Sequence, residues 1–241
     1  MQNVNLLFNK LYYDGLSFKG DALTIGDIKK KQEELINSKF DKEDYQECTL
    51  PGVSKLQFKT QYPGLLVGTG YAHGVSCKED AKLGFSLDYV TGQPYVPGSS
   101  VKGTLRSIFE DKEIICEILS DSLDGKIFTD SEIITIINEI FDGGDIFLDA
   151  VIKSGDKNGK VLGIDYITPH KKTVENPTPI QMLKIISNVT LEFRFVLKEG
   201  LLSKNEKLVV FSQIIEDFGV GAKTNVGYGN LKRANQDGCK W

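Results

Sequence analysis

Leu191-Glu192-Phe193-Arg194-Phe195-Val196-Leu197, then Ser203 to Gly219, then Gly219-Val220-Gly221-Ala222-Lys223-Thr224-Asn225-Val226-Gly227-Tyr228-Gly229, is the stretch from which the rest of the chain is read. Leu191, Phe193, Phe195 and Leu197 alternate with Glu192, Arg194 and Val196, the period of a strand with one face in a core. Ser203 and Glu206 stand three apart, so a hydroxyl can cap the helix while the carboxylate reaches back to the cap N–H. Leu208, Phe211, Ile214, Ile215 and Phe218 then make an apolar helical stripe that stops at Gly219. A short strand near Leu231 closes the chain.

Working outward, the same order occurs upstream. Lys55 to Lys59 alternates, with Leu56 and Phe58 on one side, and Leu65 to Val67 is apolar before Gly68-Thr69-Gly70, which reads as strand, break and strand end. Leu83 to Val90 and Gln93 to Val96 flank Thr91-Gly92 as a hairpin stopped by Pro97-Gly98. Val101, Leu105, Ile108 and Phe109 share one helical stripe, with Lys102 and Arg106 on another face. Thr129 and Glu132 form a second capping-box pattern ahead of Ile133, Ile134, Ile136, Ile137 and Ile140. Ile146 to Ile152 is a buried strand ended by the loop from Ser154 to Gly159.

Strand, helix, strand, strand, helix, strand is the split β-α-β order of ferredoxin-like domains, so the fold class is α+β with both helices expected on one sheet face. The domain is expected over residues 55–241, with an acidic helical insertion at about 111–144. Residues 1–54 form an N-terminal helical extension that includes the charged segment Ile28 to Phe40.

Composition bounds the function. The 241 residues are 40% hydrophobic and 26% charged, with 13 Phe and 9 Tyr, which excludes disordered and fibrous classes. No apolar run approaches the roughly 18 to 20 residues of a membrane span, and MQNVNLLFNK lacks the apolar centre of a signal peptide, so the expected address is cytoplasmic with no membrane partner. Cys48, Cys77, Cys116 and Cys239 are far apart without a C-x-x-C and read as free thiols. His73 and His170 are the two histidines, so neither a metal site nor a cofactor is expected. The net charge is -4, but residues 111 to 149 alone carry -9, which leaves +5 on the remainder. A nucleic-acid surface is therefore permitted, provided it lies away from the acidic segment.

The glycine-rich loop fails the familiar phosphate-binding patterns. Ala222 stands where a P-loop has the glycine before its lysine, and Thr224 stands where the dinucleotide fingerprint has its third glycine. The loop also follows a helix and precedes a strand, the reverse of both motifs. Two readings stay open: exposed N–H groups and Lys223 hold phosphate oxygens, or the loop is a tight turn packed on the sheet. Ser99 and Ser100 at a helix start, with Lys102 and Arg106 further in, offer hydroxyls and charge to an anion or make an ordinary capped, solvated helix. Gly103 inside that helix costs roughly 1 kcal/mol against Ala, which points to a close backbone approach. His170-Lys171-Lys172 reads as a basic patch with a stacking imidazole or as an exposed loop.

The blocks from Pro63 to Gly70 and from Tyr95 to Arg106, together with the terminal glycine loop, in this order, resemble the RAMP superfamily of CRISPR-associated proteins. The N-terminal helical segment and Asp165-Tyr166-Ile167-Thr168-Pro169-His170 resemble the sixth subunits of type III-B Cmr effector complexes. The resemblance implies an RNA-recognition-like ferredoxin fold whose helix after Gly98 and whose glycine loop meet guide RNA. It also implies a place near the guide's 3′ end beside neighbouring RAMP subunits. The RNA-binding residues expected on this basis are Ser99, Ser100, Lys102, Gly103, Arg106, His170, Lys171, Lys172, Gly219, Gly221, Lys223, Thr224, Asn225 and Gly227. It implies a noncatalytic role, since target cleavage in the family belongs to a repeated subunit that offers an aspartate. Asp88, Asp149 and Asp165 are candidates for that aspartate only in being acids near strands. The alternative is a guide-processing endonuclease that uses His73 or His170 without a metal.

Overall fold

The computed structural model describes residues 3–15, 25–40, 45, 47–67, 86–167 and 179–234. Along them run α1 (Val4–Asn9), a 3-10 turn (Leu11–Tyr13), α2 (Ile25–Ile36), β1 (Val53–Thr60), β2 (Tyr95–Val96), α3 (Gly98–Phe109), α4 (Lys112–Ser122) and α5 (Asp130–Phe141). There follow β3 (Ile146–Ser154), β4 (Leu162–Ile167), β5 (Ile180–Ile185), β6 (Thr190–Val196), α6 (Lys204–Phe218), a 3-10 turn (Thr224–Val226) and β7 (Leu231–Arg233).

The alternating strands pair as their apolar faces require. Leu56 sits opposite Phe193, Phe58 opposite Leu191, and Phe147 opposite Phe195, so a one-residue slip would turn every one of these side chains to solvent. The sheet order is β2-β3-β6-β1-β7, antiparallel throughout. Counting only β1, β3, β6 and β7, this is the 4-1-3-2 order of a ferredoxin-like sheet, with β2 added at one edge.

Both connecting helices cover the apolar face. Phe211 of α6 lies 5.5 Å from Phe195 and 5.8 Å from Phe147, ring centre to ring centre, and 6.3 Å from Phe109 of α3. Phe58 and Phe193 meet edge to face at 5.5 Å. Each buried Phe contributes about 1.5–3 kcal/mol, and aromatic pairs add about 0.5–1.5 kcal/mol, so this cluster is the energetic centre of the domain.

Both capping boxes form, at Thr129 with Glu132 and at Ser203 with Glu206. The acidic segment is not set apart from the domain. Its helices bury Ile115, Leu119, Ile136, Ile140 and Phe141, and the Phe141 ring packs 5.4 Å from Phe109. Acidic side chains occupy the outer faces while the apolar stripe joins the core.

Two expectations change. Leu65 makes one bridge, its N–H and C=O bonded to Ile185 at 2.8 and 2.9 Å, rather than ending a strand. Around Thr91-Gly92 the expected hairpin is present from Ser86 to Tyr95, with Asp88 N–H on Gln93 O at 2.9 Å, Tyr95 N–H on Ser86 O at 3.1 Å and a bridge from Leu87 to Pro94, while residues 83–85 lie outside the described residues. The hairpin β4–β5, with Leu162 opposite Ile185, is an arm that the alternation alone left unread. Cys48 and Cys116 are free thiols, whereas Cys77 and Cys239 lie outside the described residues. Among the described residues no helix is long and apolar enough to cross a membrane.

Candidate nucleic-acid interface

α6 stops at Gly219 (φ 70°), and the loop then folds onto its own chain. Val220 N–H donates to Gly229 O at 3.1 Å, Ala222 N–H to Leu66 O at 2.8 Å, and Gly229 N–H to Gly64 O at 2.8 Å. At Gly221 φ is +98°, and a Cβ there would stand 2.3 Å from Leu66 O. Gly221 therefore permits a close approach to Leu66, while Gly219 and Gly229 let the two ends of the loop close on each other.

What the loop turns outward is a shorter segment. Lys223 adopts the left-handed conformation (φ 60°, ψ 37°) and leads into the Thr224–Val226 turn, closed by Gly227 N–H to Thr224 O at 2.9 Å. The N–H groups of Lys223, Thr224 and Asn225 have no hydrogen-bond partner among the described residues, and the Lys223 and Asn225 side chains are exposed. Beside them runs the turn Tyr62-Pro63, in which Tyr62 is 85% exposed. Three successive N–H groups, an ammonium and an open aromatic ring can together hold phosphate oxygens and stack a base. Tyr62 escaped the sequence reading because its neighbour in space, the glycine loop, is far along the chain.

The loop is fixed to the β4–β5 arm by a polar cluster. Tyr228 O–H donates to Asp165 Oδ2 at 2.7 Å, Lys184 Nζ donates to the same oxygen at 2.6 Å, and Tyr166 N–H donates to Oδ1. Burial works to raise the Asp165 carboxyl, but the hydrogen bonds from Lys184, Tyr228 and Tyr166 and the Lys184 charge bring it below its ordinary value. Burial first, then the hydrogen bond to Asp165 and its charge, push the Tyr228 phenol up to about 12 from 10.0. A raised phenol stabilises fully below pH 10 and loses that contribution as pH climbs towards 12. Urea midpoints measured across this window should fall more steeply for wild type than for Tyr228→Phe. Identical alkaline slopes would show that the phenol makes no such contact.

At α3 the expected cations are already engaged. Lys102 Nζ donates to Phe141 O at 2.6 Å, and Arg106 Nη2 lies 3.0 Å from both oxygens of Asp142, with its guanidinium 5.5 Å from the Phe141 ring centre. The reason is the packing of α5 onto α3, which the charge separation along the sequence did not foretell. Ser99 is exposed and Ser100 half-buried; Gly98 N–H donates to Asp149 Oδ1 at 2.7 Å. Gly103 faces outward, and a Cβ there would meet nothing within 4 Å. No contact among the described residues calls for glycine at that position.

The two candidate regions lie at different ends of the sheet. The start of α3 packs on Phe147 to Asp149, near Phe195, whereas the glycine loop adjoins Thr60 and Leu231, near Thr190. The run of β6 from Thr190 to Phe195 separates these levels, about 17 Å at the usual rise. Of the three aspartates near strands, Asp88 caps its turn, Asp149 holds α3, and Asp165 anchors the glycine loop. His170, Lys171 and Lys172, like His73 and Gly68 to Gly70, lie outside the described residues.

Residues 57–232 match the family model of the RAMP superfamily, from the second half of β1 to β7. The chain belongs to the RAMP superfamily. This RAMP protein is similar in fold to a chain in a cryo-electron-microscopy structure of the type III-B Cmr-beta bound to cognate target RNA, with 23% identity and a TM-score of 0.56. That match covers 76% of this chain and 58% of the other, so the RAMP protein spans little more than half of that relative. A crystal structure of Cmr6 from Pyrococcus furiosus is similar at 21% identity and a TM-score of 0.50, covering 76% of this chain and 98% of that one. No curated protein matches.

Proposed function

We propose that this RAMP protein is a noncatalytic RNA-binding subunit of a type III-B CRISPR effector complex. It holds guide RNA and the guide–target duplex near the guide's 3′ end, with neighbouring RAMP subunits as its protein partners. The observation that carries this reading is the outward segment of the glycine loop, where the N–H groups of Lys223, Thr224 and Asn225 have no partner among the described residues, beside exposed Tyr62 in a chain of this family.

The mechanism is sequence-tolerant. Main-chain N–H groups and an ammonium bind phosphates, and base pairing between guide and target supplies specificity. On α3 the groups open to RNA are the Ser99 and Ser100 hydroxyls and the bare backbone at Gly103. Lys102 and Arg106 contribute if phosphate exchanges with Phe141 O and Asp142. The segment with His170, Lys171 and Lys172 belongs to the same proposed surface.

Lys223→Gly tests the loop cleanly. A non-glycine residue in the left-handed region costs roughly 1–2 kcal/mol, so glycine keeps the turn and relieves that strain while it removes the charge. Single-stranded RNA binding measured against salt should show a log–log slope shallower by about 0.7, the value for one phosphate contact. An unchanged slope would remove Lys223 from the interface.

A further inference from the structure

The face of the sheet opposite α3 and α6 carries a groove of about 720 Å³ along β1 and β7, and a second of about 520 Å³ shares Lys59, Ser154 and Thr190 with it. The floor carboxylate is spent. Glu192 is fully buried and accepts from Tyr45 Oη at 2.7 Å, Arg194 Nε at 2.9 Å, Gln57 Nε2 at 3.2 Å and Lys153 Nζ at 3.4 Å. Arg233 pairs with Glu216 at 3.3 Å, and Asp156 Oδ1 is used by the N–H groups of Asn158 and Lys160.

Three lysines at the groove remain without an acidic partner among the described residues: Lys59, Lys232 and Lys157. Lys59 and Lys232 are direct cross-strand partners of β1 and β7. Like charges placed opposite each other destabilise a sheet, so the arrangement calls for an anion above it. Glu192 does not serve, because its charge is already met by Lys153 and Arg194.

We infer that this face, opposite α3 and α6, binds the phosphate backbone of a single-stranded RNA segment. The occupant is read by charge rather than by base. Among the described residues the aromatic side chain at the groove is Tyr45, whose O–H is on Glu192 and whose ring is engaged by Lys153, 4.5 Å away, and Arg194, 5.6 Å away, rather than offered to a base. The groove also adjoins the glycine-loop region. Gln61 lines it and precedes the Tyr62-Pro63 turn beside Gly227, so one strand can pass from loop to groove. The site is separate from the loop and stands or falls independently of it.

The test uses the full chain and a fluorescent oligouridylate of about 20 nucleotides, long enough to reach past one binding domain. Lys59→Ala, Lys157→Ala and Lys232→Ala combined should reduce the salt slope by about 2 and weaken binding on the order of 100-fold at about 0.1 M salt. Its melting temperature should be unchanged or higher, since a repulsive pair is removed. Lys223→Gly measured alongside separates the sites: a steep loss in the triple variant with none in Lys223→Gly keeps the groove and drops the loop. A triple variant that binds RNA with wild-type slope overturns the inference. So does a groove that takes a polyglutamate peptide but no RNA, which would make it a protein-docking face.

Discussion

Asp145→Ala should lower the stability of the domain by about 3–5 kcal/mol, the cost of leaving one partner of a buried ion pair uncompensated. Lys207 on α6 is 1% exposed, and its Nζ donates to Asp145 Oδ2 at 2.8 Å and to Lys198 O at 2.9 Å. Asp145 Oδ1 in turn accepts from Lys198 N–H at 2.7 Å. The carboxylate thus joins the residue before β3, the exit of β6 and the second turn of α6. Without it the ammonium keeps one carbonyl in a site closed to water. For a chain of this size the loss corresponds to roughly 6–20 °C in melting temperature. Urea titration at constant m reads it directly. Asp145→Leu with Lys207→Met should recover most of the loss, because two apolar side chains of similar volume leave no charge behind. A single-variant loss under about 1 kcal/mol would mean that water reaches the pair.

That ion pair marks the boundary of what was legible in the chain. Both capping boxes were, because a cap is made within one turn: Ser203 and Glu206 need nothing beyond each other and the backbone between them. The alternation in β1 and β6 was legible for the same reason, since a strand's apolar face shows in its own residues. Asp145 and Lys207 are distant in sequence and each reads as a solvated charge until β3 and α6 are packed together. Glu192 sits at a position that alternation assigns to water, yet Tyr45 folds over it from the N-terminal segment.

The candidate site divides the same way. Glycine content and the lysine of the loop were visible, whereas the surface they serve depends on Leu66, Gly64 and Asp165, all remote along the chain. Lys102 and Arg106 were correctly placed on one helix face, but their partners, Phe141 O and Asp142, come from the end of α5. The lysines of the sheet face escaped notice because Lys59 and Lys232 become neighbours only through the pairing of β1 with β7.

Gly221→Val should cost about 3 kcal/mol or more and release the glycine loop from residues 64–66. Two separate penalties meet at this position. A β-branched residue at φ +98° is outside the comfortable left-handed region, at roughly 1–3 kcal/mol, and its Cβ would stand 2.3 Å from Leu66 O. Moving that carbonyl away breaks the Ala222 N–H to Leu66 O hydrogen bond of 2.8 Å, about another 1 kcal/mol. Gly227 separates the two effects, because its φ is +95° but the nearest atom to an added Cβ is Pro63 Cδ at 3.6 Å, an ordinary contact. Gly227→Ala therefore reports the backbone strain alone, and Gly221→Ala reports strain plus close approach. Urea midpoints should place Gly221→Ala below Gly227→Ala, and Gly221→Val lowest. RNA binding by Gly221→Val then falls together with stability, which is why the charge at Lys223 and not this glycine is the clean probe of phosphate contact. If the two alanine variants cost the same, close approach to Leu66 is not what requires glycine at 221, and the loop is held to the sheet by its remaining hydrogen bonds.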